Sequence, residues 1–408
     1  MNRLRIVVLF CCVLFFLSGE AFGKEKSGFY PFEIVDTGQS IFFDNAKSIP
    51  KPLPGQPFFG QDAQFSRNVP RYTDNGDGII TDNVTGLIWQ KSFSVMAYEE
   101  AVQKVKTFSL GGQRDWRLPS IKEVYSLALF SGVDASSREM SGVPPVAKPF
   151  IDSVFDFQYG ANGPRPIDTQ LLSSTIYQGQ TMGGQKTVFG FNAADGRIKG
   201  YPMFDPRRRS GKKFTVRFVR GRSDYGRNNY HDNGDGTISD LATGLMWAKS
   251  DSGQGMNWQK ALEWVSQKNA SAYLGRKDWR LPNAKELQSI VDYTRSPQKT
   301  ASPAISPMFE VSAITIESGG KNYPFYWTST THQTVRGGFD AVYVCFGDAY
   351  GYFKPPGASS PPRLLDVHGA GAQRSDPKAG DPSDFPQGRG PQGDVIRILN
   401  YVRLVRDM

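Results

Sequence analysis

Apolar positions along this chain recur with two periods. In AYEEAVQKVKTF (97–108) Ala97, Ala101, Val105 and Phe108 fall on one face of a helix, and in NWQKALEWVSQ (257–267) Trp258, Ala261, Leu262 and Val265 do the same. A second helix is predicted in each half, where Ser120 with Glu123, and Asn283 with Glu286, have the spacing of a capping box. The two-residue period appears in TVFGFNA (187–193) and DAVYVCFG (340–347), which read as antiparallel strands; VRFVR (216–220) and YVRLVR (401–406) read as closing strands. Helices and short strands alternate in both halves, which predicts an α+β class with two helices per half.

The halves are copies. DNGDGIITDNVTGLIWQKS (74–92) is nearly spelled again as DNGDGTISDLATGLMWAKS (232–250), with Asp74 answering Asp232 and Trp89 answering Trp247. RDWRLPSIKEVYSL (114–127) answers KDWRLPNAKELQSI (277–290), LSST (172–175) answers WTST (327–330), and the VRxVR stretches answer each other in the same order. Kept order at long spacing predicts two copies of one domain, 71–222 and 229–408, and not a short-period solenoid. Two segments fall outside the repeat. Residues 24–70 are a Pro/Gly-rich leader, expected to pack on the first domain as irregular structure, and 354–394 is expected as a long loop before the last strand of the second copy.

With 408 residues, 39% of them apolar, the chain can bury real cores. The start MNRLRIVVLFCCVLFFLSGEAFGKEK reads as a signal peptide over 1–23, because its apolar run from Ile6 to Leu17 is shorter than the roughly 20 residues a spanning helix needs. The mature chain is then expected to have no transmembrane segment and to reach the periplasm, the cell surface or the medium. Its single cysteine, Cys345, sits in an alternating run and reads as a buried thiol, with only the distant His231, His332 and His368 as histidines. A formal charge of +9 favours polyanions. The densest basic cluster is Arg207, Arg208, Arg209, Lys212 and Lys213, either a polyanion-binding loop or a solvated surface loop. Nucleic acid fits less well, since these cations are not interleaved with aromatics.

Together NGDG followed by TGLxW, DWRLP leading into a helix, the WTST element and the terminal VRxVR resemble the C-terminal domain of the Legionella collagen-like adhesin. The resemblance implies a C-type-lectin-like α+β fold, related to that of formylglycine-generating enzymes, and for its best-known member adhesion and binding to sulfated glycosaminoglycans. This chain departs from that pattern in lacking a Gly-X-Y stretch, and in carrying Phe218 and Leu404 where members often have a cysteine. Leu172 stands where the second copy has Trp327, so the two domains need not share a binding surface.

The DNGDG stretch admits two readings. As a calcium site it fails the strict EF-hand pattern, since Thr73 and His231 occupy the first ligand position; a looser site would use Asp77 and Asp82, or Asp235 and Asp240. As a hairpin it needs no ion, with Asn75-Gly76 and Asn233-Gly234 as type I′ turns and Trp89 and Trp247 in the core. The turn reading is preferred because every letter then has a role, and calcium is the one cofactor left open. Trp116 and Trp279 of DWRLP read as buried anchors rather than sugar platforms, with Asp115 and Arg117, and Asp278 and Arg280, paired within each block. No HExxH, GxSxG or P-loop occurs, so no catalytic residues are assigned. The chain therefore reads as an exported, non-enzymatic binding or adhesion protein for acidic glycans or envelope components. The alternative is a periplasmic or surface scaffold that binds proteins; an enzyme akin to the formylglycine generators ranks last.

Overall fold

Each DNGDG block folds into a hairpin that opens a four-stranded sheet. The structure, a computed structural model, describes residues 30–136, 142–206, 208–355 and 357–408, so the expected signal peptide lies outside the described residues. In the first copy the strands are Tyr72–Asp74, Ile79–Asp82, Ile88–Gln90 and Val219–Arg220; in the second they are Tyr230–Asp232, Thr237–Asp240, Leu245–Ala248 and Val405–Asp407. Registers match: Trp89 lies opposite Ile80 and Val219, and Trp247 opposite Ile238 and Val405. Both indoles are fully buried. The last strand of each copy thus closes on its first hairpin.

The turn itself is wider than expected. Asn75 N–H donates to Ile79 O at 3.0 Å and Asn233 N–H to Thr237 O at 3.0 Å, leaving a three-residue connection instead of a type I′ pair. Only the glycines take positive φ, +81° and +83° at Gly76 and Gly78, and +73° and +84° at Gly234 and Gly236. Asp74 and Asp77 hold this shape, accepting from Gly76 N–H (3.0 Å) and Ile79 N–H (3.2 Å).

Among the described residues there are five α-helices: α1 (Tyr98–Val105), α2 (Ile121–Ser126), α3 (Trp258–Ala270), α4 (Ala284–Ser289) and α5 (Pro297–Thr300). The capping boxes form at α2 and α4, where Glu123 and Glu286 reach back to the N–H of Ser120 (2.7 Å) and Asn283 (2.9 Å). The fold is α+β and mostly sheet. Among the described residues no helix is long and apolar enough to cross a membrane.

The two copies share one eight-stranded sheet. Its order is Phe325–Thr334, Gly337–Cys345, Gln373–Pro377, Arg197–Pro202, Thr187–Asn192, Gln170–Ile176, Lys213–Val216 and Ser94–Ala97. Gln373 lies opposite Ile198 at the seam, and only the Lys213–Val216 and Gln170–Ile176 pair is parallel. In each copy the third strand of a meander meets its counterpart, so the halves are related by a pseudo-two-fold axis. The segment 354–394, expected as one long loop, therefore contains a central strand. QRSDP (373–377) lacks an apolar period because one of its faces lines a polar cavity.

One face of this sheet packs against α2 and α4 in a single core drawn from both copies, including Phe189, Phe191, Ile198, Val342, Val344, Val124 and Leu287. The other face is covered in two places. Beside α1 lie Leu172, Val188, Phe214 and Val216; beside α3 lie Trp327, Ala341, Tyr343 and Cys345. At the pseudo-two-fold, Lys122 Nζ donates to Ser289 O (2.7 Å) and the matching Lys285 Nζ to Ser126 O (2.8 Å).

The leader packs on both copies and not on the first alone. Thr37 O accepts from Phe130 N–H (2.7 Å), while the Gln39 amide brackets the main chain of Thr331, accepting from its N–H (2.9 Å) and donating to its carbonyl (2.8 Å). Asp62, buried, accepts from Thr37 (2.8 Å) and Thr330 (2.5 Å).

Candidate functional site

The strand Arg197–Pro202 reads RIKGYP. Ile198 enters the shared core, so Arg197, Lys199 and Tyr201 project from the opposite face, between the α1 and α3 clusters. There they meet Arg374 and Tyr343 from the second copy in a cavity of about 1010 Å³. Among the described residues six cations line it, three from each copy: Arg165, Arg197 and Lys199, with Arg336, Arg374 and Arg389. Four carboxylates do too: Asp134, Asp195, Asp340 and Asp394.

The carboxylates are engaged. Asp134 accepts from Arg197 (2.6 Å) and lies 3.2 Å from His332; Asp195 holds Lys199 (2.6 Å), Asp340 holds Arg389 (3.1 Å), and Asp394 holds both His368 (2.7 Å) and Arg374. Burial would raise the Asp134 carboxyl, yet Arg197 and His332 hold it well below the usual range. Burial, with Arg374 and Arg197 nearby, lowers Lys199 to about 8 against the pull of Asp195. His368 is pushed well below its ordinary value by burial, then by Arg374 and Lys199, so it is neutral and donates Nε2–H to Asp394.

Some polar atoms in this cavity have no partner among the described residues. Arg374 is 9% exposed, yet its Nη1 donates to no described residue, and the acceptor nitrogen His368 Nδ1 is likewise unpaired. Buried donors left without acceptors are costly, at roughly 1–3 kcal/mol each. The arrangement is thus ready for a ligand that brings anionic oxygens to Arg374 and Arg336 and a ring face or hydroxyl to Tyr201.

The described members of the basic cluster read from the sequence differ in exposure and in partners. Arg207 lies outside the described residues. Arg208 is exposed, 3.9 Å from Asp205, and Arg209 is exposed at φ +52°. Lys213 is tied to Glu100 (2.6 Å), and the Lys212 ammonium lies 5.8 Å over the rings of Tyr201 and Phe214. Among the described members, Lys212 is the one that touches a cavity residue, Tyr201.

Nor does the structure bring the candidate calcium pairs together. Asp77 and Asp235 sit in the hairpin loops, Asp235 accepting from Thr237 N–H (3.0 Å). Asp82 and Asp240 stand at the far ends of the following strands, more than about 10 Å away at the usual rise per residue. There they accept from Val84 N–H (2.9 Å) and Ala242 N–H (3.1 Å), turning the chain toward the buried tryptophan.

The DWRLP charges pair differently from the expectation. Asp115 meets Arg220 (2.7 Å) and Asp278 meets Arg406 (2.8 Å), the second arginines of VRxVR. Arg117 and Arg280 instead grip the capping-box acids Glu123 (2.7 Å) and Glu286 (2.5 Å) with both guanidinium nitrogens. Trp116 and Trp279 are buried, each donating Nε1–H to a main-chain carbonyl, Leu110 O (3.3 Å) and Tyr273 O (2.8 Å).

Sequence reasoning missed the cavity residues. The alternation of cation and aromatic in RIKGYP was a usable signal, since such a strand has one polar face. Arg374 and Arg389 were hidden in the presumed loop.

No curated protein and no solved structure matches this chain. The family model of the Lcl C-terminal domain matches it twice, over residues 78–220 and 236–363, one stretch in each copy of the repeat. These two stretches cover more than half of the chain, which therefore belongs to the Lcl C-terminal domain family as a tandem of two such domains.

Proposed function

We propose that this chain is an exported, adhesin-like binding protein without catalysis of its own, and that it recognises acidic or sulfated glycans in the cavity between its repeats. The family supports the adhesin-like role. The observation that carries the glycan reading is Arg374, whose buried Nη1 has no partner in a cavity lined by six cations. Two-point contacts from arginine suit carboxylate and sulfate oxygens, and half-buried Tyr201 offers its ring to a sugar. The remaining thiol supports a non-enzymatic reading: Cys345 is fully buried, and burial raises its pKa well above the ordinary value, away from the nucleophilic thiolate.

Titration calorimetry of the mature protein with size-defined heparin and chondroitin sulfate oligosaccharides tests this. Saturable, salt-sensitive binding is expected, at least about tenfold weaker in Arg374→Gln, which corresponds to about 1.4 kcal/mol. Absence of binding, or binding equal in the variant, would sink the assignment of this cavity.

A further inference from the structure

The repeat supplies its own comparison. On the second copy, the groove between the WTST strand and α4 is filled by the leader, so that Ser329 and Thr330 are 1% and 0% exposed and Lys285 is 3% exposed. On the first copy the matching groove, about 590 Å³, is open: Ser174 is exposed, and Thr175 and Lys122 are half-buried. We propose that this open groove docks a carboxylate-bearing peptide segment of a partner protein, much as the second groove holds the leader, whose Asp62 opens a short 3-10 turn.

The local frames are the same. Ser174 N–H donates to Pro119 O (2.7 Å) as Ser329 N–H does to Pro282 O (2.8 Å), and Thr175 Oγ1 accepts from Ile121 N–H (3.0 Å) as Thr330 Oγ1 does from Ala284 N–H (2.9 Å). The difference lies in what the threonine hydroxyl does next. Thr330 donates to the Asp62 carboxylate of the leader, whereas Thr175 has no acceptor for its hydroxyl among the described residues. The strand edge repeats the contrast. Tyr177 N–H donates to Thr187 O (3.0 Å), so the N–H and C=O of Ile176, opposite Val188, point away from that neighbour. Thr331, which matches Ile176, has those same two groups bracketed by Gln39.

Charge favours an acidic segment. Of the charges that line the groove, Arg117 and Glu123 hold each other and Lys122 donates to Gly226 O (3.0 Å), Asn228 Oδ1 (2.8 Å) and Ser289 O (2.7 Å), which leaves Arg227 to meet an incoming carboxylate beside Asp292. Arg227 is exposed and makes no ion pair among the described residues. The groove lies at the α2 and α4 side of the sheet, on the opposite face from the six-cation cavity, so this inference does not depend on the glycan reading.

A fluorescein-labelled peptide with the sequence of residues 57–66, PFFGQDAQFS, is the probe, titrated against the full chain by fluorescence anisotropy. Saturable one-to-one binding is expected, weakened at least tenfold in Thr175→Val and for a peptide with Asn at the aspartate, and retained in Thr175→Ser. The serine variant separates loss of the hydroxyl from loss of fold. No saturable binding, or binding that Thr175→Val leaves unchanged, would overturn the proposal; the latter would mean that the peptide exchanges with the leader on the second copy.

Discussion

Asp62 shows how one leader carboxyl carries a measurable pH signature. It is 3% exposed, and burial raises its pKa to about 7 even though Thr330 and Thr37 donate to it. The unfolded chain gives up this proton near pH 4, so the native state holds the extra proton between about 4 and 7. The stability it contributes is therefore present below about pH 4 and lost as the pH rises to about 7. We expect Asp62→Asn, which keeps the shape and cannot titrate, to show a smaller drop in urea midpoint between pH 5 and pH 7 than the parent. An equal drop in both would remove Asp62 as the cause. At this scale the sequence was legible where a residue simply packs, as with Trp89, Trp247, Trp116 and Trp279. It was not legible where a charge chooses a distant partner: Asp115 skips neighbouring Arg117 for Arg220, on a strand that closes 105 residues later. No local spacing encodes that choice.

At the scale of elements, the closing strands owe their grip to one buried arginine each. Arg403 is fully buried and makes no ion pair among the described residues; its guanidinium donates to Ala248 O (3.0 Å), Lys249 O (2.6 Å) and Glu310 O (2.6 Å) and lies 5.1 Å over Phe309. Arg217 repeats the device, donating to Gln90 O (2.5 Å) and Asp156 O (2.8 Å) with its guanidinium 4.9 Å from Phe155. A guanidinium spreads its donors over a rigid planar fork that reaches carbonyls on separate segments, whereas an ammonium gathers its three donors on one atom at the end of a flexible stem. We expect Arg403→Lys to cost about 2–4 kcal/mol in denaturant unfolding, because carbonyls are left unpaired beside a misplaced charge. A cost under about 0.5 kcal/mol would show that the fork is not what fastens the strand. The strands with a clean apolar period, Thr187–Asn192 and Gly337–Cys345, were visible in the sequence. Gln373–Pro377 was not, since a strand with a charged face and a polar edge offers no period to read.

For the whole molecule, the repeat announced two domains, and the family match agrees. What it could not announce is that their sheets fuse, because edge pairing depends on which strand ends each meander. The core that Phe189 and Val344 share with α2 and α4 leaves neither half with a complete interior. We expect tryptophan fluorescence and far-ultraviolet circular dichroism to report one coincident urea transition for the full chain, with both repeats lost together. Two separated transitions would mean that the seam between Ile198 and Gln373 is not structural.

The pairing of like with like at that seam also speaks to ancestry. A strand that meets its own duplicate across a pseudo-two-fold could once have met an identical strand on a second molecule, and Lys122 and Lys285, each reaching for the other copy's helix end, keep that reciprocity. Fusion of two genes then frees each half to diverge, so that one groove could recruit a leader while its twin stayed vacant, a difference that no symmetric pair of identical chains could sustain.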